Sequence, residues 1–369
     1  MNPRQNSLCI QSLISLVTLG VIMTNSSIAA TQEHSMRPPQ VYAHRGARAF
    51  APENTIPAYA VGLHIGTDFV DMDIVLTKDG QVLVSHDPLL NPDIVRDVNG
   101  KFIAENKEAT RKFTPTEKTA FIKKYAAKNR TLSELKTFDV GRLNQTSSYS
   151  KFFPNQKPVD GTHMPTLVEV IHYVNEKTKN KVSFQIEMKT DPAHPEFSPD
   201  PEVFAKALYE ILKTEKIIDR AEIQAFDFSC LTALQKLDPK VKTAYLTSRD
   251  NEKGGDDDFF QADLKKATLW TNGVAVKDHS NSIPKMVKAM GGFAWEPEDA
   301  ELKKETLDEA HALGLKVVVW SWPEQLGTAF DEKLVNQMID WGVDGIITDD
   351  PARLNLMLAH RKLKTPQKF

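Results

Sequence analysis

From residue 41 onward a short apolar run of strand character is followed by an amphipathic run of helical spacing, and the pair recurs about eight times. The strand-like runs lie at 41–43, 69–76, 182–188, 221–226, 242–246, 292–295, 315–320 and 345–348. Helical runs follow at 166–176, 201–214, up to 237, 303–313, 332–341 and 351–363. The first helix is expected from Asn54-Thr55, which can cap it, with Pro57 in its first turn, Ile56, Tyr59, Ala60 and Leu63 at helical spacing, and Gly66 as its stop. A strand that always returns through a helix must pair parallel with the next strand. About eight such units close on themselves, so the expected fold is α/β, a (β/α)8 TIM barrel.

One segment breaks the rhythm. Asp79-Gly80 is a hairpin signal leading into 81–86, and residues from about 88 to 163 are rich in Lys, Asn and Thr, with short helices expected at 117–129 and 131–136. This stretch reads as an insertion after the second strand and its hairpin, inside one domain spanning 38–363, because single barrels tolerate long insertions.

The first thirty residues differ from the rest. Arg4 is their only charge, Leu13 to Met23 is apolar, and Ser26, Ser27, Ile28, Ala29 and Ala30 close the stretch with mostly small residues. That layout predicts a secretory signal peptide over 1–30 and an exported protein, periplasmic ahead of fully secreted. The apolar run is shorter than the roughly 20 residues of a spanning helix, so no stable membrane insertion is expected once it is removed. Cys9 lies inside this segment, which leaves Cys230 alone and rules out an internal disulfide in the mature chain. Cys230 sits in FSCLTALQKL on an apolar helix face and reads as a buried thiol. The formal net charge is −3, with no strongly basic segment, which argues against nucleic acid as a partner. An acidic run at 256–258 could bind calcium, but it lacks EF-hand spacing and reads as a solvated loop. Oligomeric state is not legible.

In such barrels the site forms where strands end, so polar residues at strand C-termini are the candidates. Four clusters qualify: His44-Arg45, Asp71-x-Asp73, His86-Asp87 and Glu187-x-Lys189. Side chains two apart share a strand face, so Asp71 and Asp73 point together, while Val70, Met72 and Ile74 point under the helices. Neighbouring carboxylates repel unless protonated or bridged by a cation, and Glu187 would complete a hard oxygen set suited to Ca²⁺ or Mg²⁺. The plainer alternative is that these acids pair with Arg45 and Lys189 as salt bridges. His44 and His86 add proton donors and acceptors near neutral pH. His64, His172, His194, His311 and His360 are assigned structural roles, and His163 and His279 are left open. Phe152-Phe153 and Phe259-Phe260 read as buried pairs, which leaves no apolar rim for an intact lipid.

The run HRGARAFAPENTIPAYAVGLHIGTDFVDMDIVLTKDGQVLVSHDP, residues 44–88, resembles the signature of the glycerophosphodiester phosphodiesterase family. Further similar stretches are TLSELKTFDVG (131–141), MPTLVEVI (164–171), QIEMK (185–189), VVVWSW (317–322) and GVDGIITDDP (342–351), in the family's order. The resemblance implies hydrolysis of small-molecule glycerophosphodiesters to sn-glycerol 3-phosphate and an alcohol. It implies one divalent cation, Ca²⁺ ahead of Mg²⁺, on Asp71, Asp73 and Glu187, with His44 and His86 as acid and base. Arg45 and Lys189 would hold the phosphate, and Glu53 and Asn54 would stand beside the site. Asp71 departs from the pattern, which usually has Glu there and so reaches about one methylene further. The insertion is similar to the extra segment of exported bacterial members. Competing readings are a related barrel phospholipase on intact lipid and a non-enzymatic surface binding module.

Overall fold

The computed structural model describes residues 37–248, 268–321 and 331–369. Among them are nine strands: β1 (Gln40–Ala43), β2 (Phe69–Leu76), β3 (Val82–Val84), β4 (Ser183–Met188), β5 (Ala221–Ala225), β6 (Lys242–Thr247), β7 (Ala294–Pro297), β8 (Lys316–Val319) and β9 (Gly345–Thr348). Eight pair parallel in the order β1-β2-β4-β5-β6-β7-β8-β9 and back to β1, which closes the barrel. β3 alone is antiparallel, zipped to the end of β2 by the Asp79-Gly80 turn. The alternation of strand and helix thus produced the expected (β/α)8 TIM barrel.

Local chemistry sets the helix boundaries. Thr55 caps the helix Ile56–Ile65 by accepting from Ala58 N, with Pro57 in the first turn, and Gly66 ends it at a φ of 103° that disfavours side chains. Thr166 and Glu169 form a capping box on Leu167–Thr178. Most boundaries shifted from expectation by a residue or two, and two of the larger shifts have a plain cause. The strand expected at 292–295 is β7, two residues later, because Gly291 turns left-handed and Gly292 lies so close to Val287 that a Cβ would stand 2.5 Å from its Cγ1. The final helix stops at His360, since Lys362 is left-handed and the chain turns back until Phe369 N donates to Leu63 O at 3.0 Å.

The insertion folds onto the hairpin. Leu90, Val95, Phe121, Tyr125, Leu135, Phe138 and Phe153 make one apolar cluster with Val75 of β2 and Leu83 of β3. Of the two short helices expected at 117–129 and 131–136, the first is Pro115–Tyr125, followed by a separate 3-10 turn at Ala127–Asn129, and the second is Leu132–Leu135. The helix Lys107–Thr110 and the 3-10 turn Ser148–Phe152 are too short to show a period and were not anticipated. Cys230 is fully buried, as expected. Residues 1–30, the acidic run 256–258 and Phe259-Phe260 lie outside the described residues.

The lumen of the barrel is polar. Lys316 of β8 reaches across to Glu222 of β5 at 2.8 and 3.1 Å, and Tyr42, stacked on Phe69 at 4.2 Å, donates to the same carboxylate at 3.0 Å. Above this layer lie Asp71, Gln185, Gln224 and Glu296. Bonds between strands that are not sheet neighbours must cross the lumen, which fixes these side chains as interior.

Candidate active site

Three buried carboxylates stand on one face of adjacent strands, in the middle of β2 and near the end of β4. Asp73 of β2 is in register with Glu187 of β4, and Asp71 sits one pleat below on the same face. Val70, Met72 and Ile74 take the other face and join the core under the helices, as strand parity required. Lys189, just past β4, places Nζ 3.3 Å from Asp73 Oδ1 and 2.5 Å from Glu187 Oε1. Arg45 leaves β1 in a left-handed turn at φ 51°, with Nε 3.1 Å from Asp73 Oδ2 and an Nη 2.6 Å from Glu53 Oε1. Both salt bridges anticipated as the plainer alternative are therefore present.

Asn54 corrects one expectation. Thr55, not Asn54, caps the first helix. Asn54 instead lies at φ 57° with Nδ2 donating to Asp73 Oδ2 at 2.7 Å, while its Oδ1 accepts from Asp73 N and Tyr59 Oη at 3.2 Å each. A non-glycine residue held left-handed is strained, and here the bonds to Asp73 hold it.

His44 is bonded through Nδ1 to Asp349 Oδ1 at 2.6 Å, leaving Nε2 3.9 Å from Asp71 Oδ2. Asp349 is gripped on both oxygens by Arg48, at 2.6 and 3.1 Å. Arg48 also donates to Tyr149 Oη at 2.9 Å, and Tyr149 donates to Glu53, the partner of Arg45. One chain of hydrogen bonds thus runs from His44 round to Arg45. Sequence reasoning did not single out Asp349, Arg48 or Tyr149. The rule that found the other acids, polar residues at strand ends, applies equally to Asp349 after β9; its neighbour Asp350 caps the helix Pro351–His360. Tyr149 carries no such signal, because only the fold of the insertion brings it to the site.

His86, after β3, shares a cleft with Glu53, Asn54, Asp87 and Asn91. Its Nδ1 is 3.4 Å from Asp87 Oδ2, and Asn91 donates to that same oxygen at 3.1 Å. Four of the other histidines bond to groups outside the site: His163 to Phe138 O, His172 to Glu215, His194 to Glu196 and His311 to Asp344.

Burial lowers both site histidines to about 4, Arg48 adding to the effect at His44 and Arg45 and Lys189 at His86. Asp349 opposes the shift at His44 and Asp87 at His86. Each imidazole is therefore neutral at pH 7 and can accept a proton. Among the carboxylates, burial and the like charges of Asp73 and Glu187 push Asp71 well up. Glu187 is raised, first by burial and then by Asp73, against the pull of Lys189. For Asp73 burial is overcome by Lys189 and Arg45, which hold it well below the usual range. Among the described residues no three His, Cys, Asp or Glu side chains converge as they stand to chelate an ion. Lys189 occupies the space between Asp73 and Glu187. The donor chemistry nonetheless suits a hard divalent cation, because the repulsion that Asp73 exerts on Asp71 and Glu187 is relieved by a positive charge placed among the three buried acids.

Paired acids, two basic side chains and two neutral histidines at the C-terminal mouth of a (β/α)8 barrel suit a phosphoester-processing enzyme of the barrel class. The chain belongs to the glycerophosphoryl diester phosphodiesterase family, whose model matches residues 44–353. It is 27% identical over 314 residues to the glycerophosphodiester phosphodiesterase of Bacillus altitudinis, covering 85% of this chain and 96% of that one. The enzyme of the same name from Caldanaerobacter subterraneus is 25% identical, over 85% of this chain and 95% of its own. A solved structure from Silicibacter pomeroyi, provisionally given the family's name, superposes with a TM-score of 0.70 at 26% identity, covering 89% of this chain and 95% of that one. The fold also matches an Oleispira antarctica phosphodiesterase solved with its product sn-glycerol 3-phosphate, at TM-score 0.57 and 18% identity, over 87% and 97% of the two chains.

Proposed function

We propose that this site hydrolyses glycerophosphodiesters such as glycerophosphocholine and glycerophosphoethanolamine to sn-glycerol 3-phosphate and the free alcohol. The observation that carries the reading is the juxtaposition of Asp71, Asp73 and Glu187 with Arg45, Lys189 and the neutral, carboxylate-backed His44. The names of the relatives and the product bound by the Oleispira protein support the same substrate class.

Asp71, Asp73 and Glu187 would hold one divalent cation, Ca²⁺ ahead of Mg²⁺, which supplies charge neutralisation at a phosphate oxygen. Lys189 and Arg45 would hold the phosphate oxygens. Asp349 keeps the Nδ1 proton of His44 in place, so Nε2 presents its lone pair to the cleft and takes a proton from the attacking hydroxyl. That hydroxyl belongs to water or to the adjacent glycerol carbon. His86 stands as the partner that returns a proton to the leaving alcohol. An anionic phosphate set against Arg45 and Lys189 offsets the two cations that keep His86 neutral and raises its affinity for that proton.

The pattern of residues 1–30 supports export to the periplasm. No helix among the described residues is long and apolar enough to cross a membrane. The test is release of sn-glycerol 3-phosphate from glycerophosphocholine by the purified protein, first with chelator and then with Ca²⁺ or Mg²⁺ restored. Activity that vanishes and returns is expected. No release from glycerophosphocholine, glycerophosphoethanolamine or glycerophosphoglycerol with either ion would overturn the reading.

A further inference from the structure

Below the three carboxylates a line of amide side chains crosses the lumen. Gln224 of β5 donates from Nε2 to Asp71 Oδ1 at 3.0 Å. Gln185 of β4 donates to Gln224 Oε1 at 3.0 Å and to Glu296 Oε1 of β7 at 2.5 Å. All four residues are buried, Gln185 and Glu296 completely. The direction of the line follows from its first member. A carboxylate that ligates a cation is ionised and only accepts, so in that state Gln224 must present its amide N–H to Asp71, as it does here. Its Oε1 then needs a donor, and that turns the NH₂ of Gln185 towards it.

The consequence concerns which oxygen of Asp71 faces the substrate. Asp71 Oδ1 is taken by Gln224, and Oδ2 points to the cleft, 3.9 Å from His44 Nε2. A carboxylate two strands away from any fixed partner would be free to rotate. Asp71 has a short side chain with little reach to spare, so its orientation matters more than that of a Glu would. We propose that Gln224, itself oriented by Gln185, is a positioning residue that fixes Asp71 to present one oxygen to a divalent cation.

This rests on the cation reading given above, and the experiment separates the two. Ca²⁺ and Mg²⁺ binding is measured by calorimetry on the purified full chain and on Gln224→Met, which nearly keeps the volume but removes the bond. Hydrogen-bond partners of ligating groups typically contribute about 10- to 100-fold in metal affinity. Gln224→Met is expected to weaken the ion by that factor and to recover most of its turnover at saturating ion, which a folding defect would not do. Should that variant not fold, Gln185→Met leaves Gln224 in place without its donor and is expected to weaken the ion about threefold to tenfold. Wild-type binding with affinity unchanged in either folded variant would overturn the inference alone. A wild-type protein that binds neither ion would overturn the cation reading and the inference with it.

Discussion

His44 Nδ1 lies 2.6 Å from Asp349 Oδ1, although the two residues are 305 positions apart in the chain. Parallel pairing of β1 with β9 brings them together, for Ala43 is in register with Thr348 and each site residue is the next one along. A carboxylate on one ring nitrogen selects the tautomer with the proton there and leaves the other nitrogen to accept. Asp349→Asn should therefore lower kcat on glycerophosphocholine by about 10²-fold or more with the circular dichroism spectrum unchanged. Wild-type turnover in that variant would remove Asp349 from the machinery.

The same carboxylate carries a pH signature in stability. Burial alone would raise Asp349, but Arg48 and then His44 more than offset it and hold the group well below the usual range. With the folded value depressed, the stabilisation is complete above the unfolded value of about 3.9 and is lost as pH falls through the folded one. The difference in Tm between wild type and Asp349→Asn should be largest near pH 7 and narrow below about pH 4. A difference that stays constant over that range would contradict the pairing.

Asp73 receives Arg45, Lys189 and Asn54 at once, at 3.1, 3.3 and 2.7 Å. Asp73→Asn keeps the size but removes the charge that both cations and a bound divalent ion would share. Calorimetry should show loss of Ca²⁺ and Mg²⁺ binding, and kcat/KM should drop by about 10³-fold. Retained ion binding would exclude Asp73 as a ligand.

From the insertion, Tyr149 joins the hydrogen-bond chain by bridging Arg48 and Glu53, beside Gln156, which donates to Arg48 O, and Phe153, whose ring lies 4.7 Å from the Arg48 guanidinium. Tyr149→Phe keeps the edge-on ring contact with Phe153, at 5.2 Å between centroids, and deletes only the hydroxyl. Denaturant unfolding should show a loss of about 1–2 kcal/mol, and turnover should fall about tenfold as Arg48 loses a partner. If both stay at wild-type values, the Tyr149 hydroxyl does not brace the site.

Gly46 turns the chain from β1 into the site at φ 95°, and a Cβ there would stand 2.6 Å from the carbonyl carbon and the Cβ of Ala58. Gly46→Ala meets an unfavourable backbone and a helix that cannot give way. A loss of about 2 kcal/mol or more is expected from thermal or urea unfolding. A Tm equal to wild type would mean the helix Ile56–Ile65 can move aside.

Much of this was written in the chain order itself. The barrel followed from alternating periods, because a period of two and a period of 3.6 each expose their apolar face without help from distant residues. Asp71, Asp73, Glu187, His44 and His86 were legible for a local reason, since each lies on or just past a short apolar strand, and strand parity sets the shared direction of Asp71 and Asp73. Capping was legible too, though the pair Asn54-Thr55 divided the work differently: Thr55 took the helix and Asn54 took Asp73. The Lys107–Thr110 and Ser148–Phe152 turns escaped because one turn of helix has no period to read. What only the tertiary structure decided is partnership. Asp349 reaches His44 by closure of the barrel, Gln224 reaches Asp71 across the lumen, and Tyr149 reaches Glu53 because the insertion folds back over the mouth. Sequence determines where a side chain points from its own strand, but a hydrogen bond needs a second atom within about 3 Å, and only the closed fold supplies that distance.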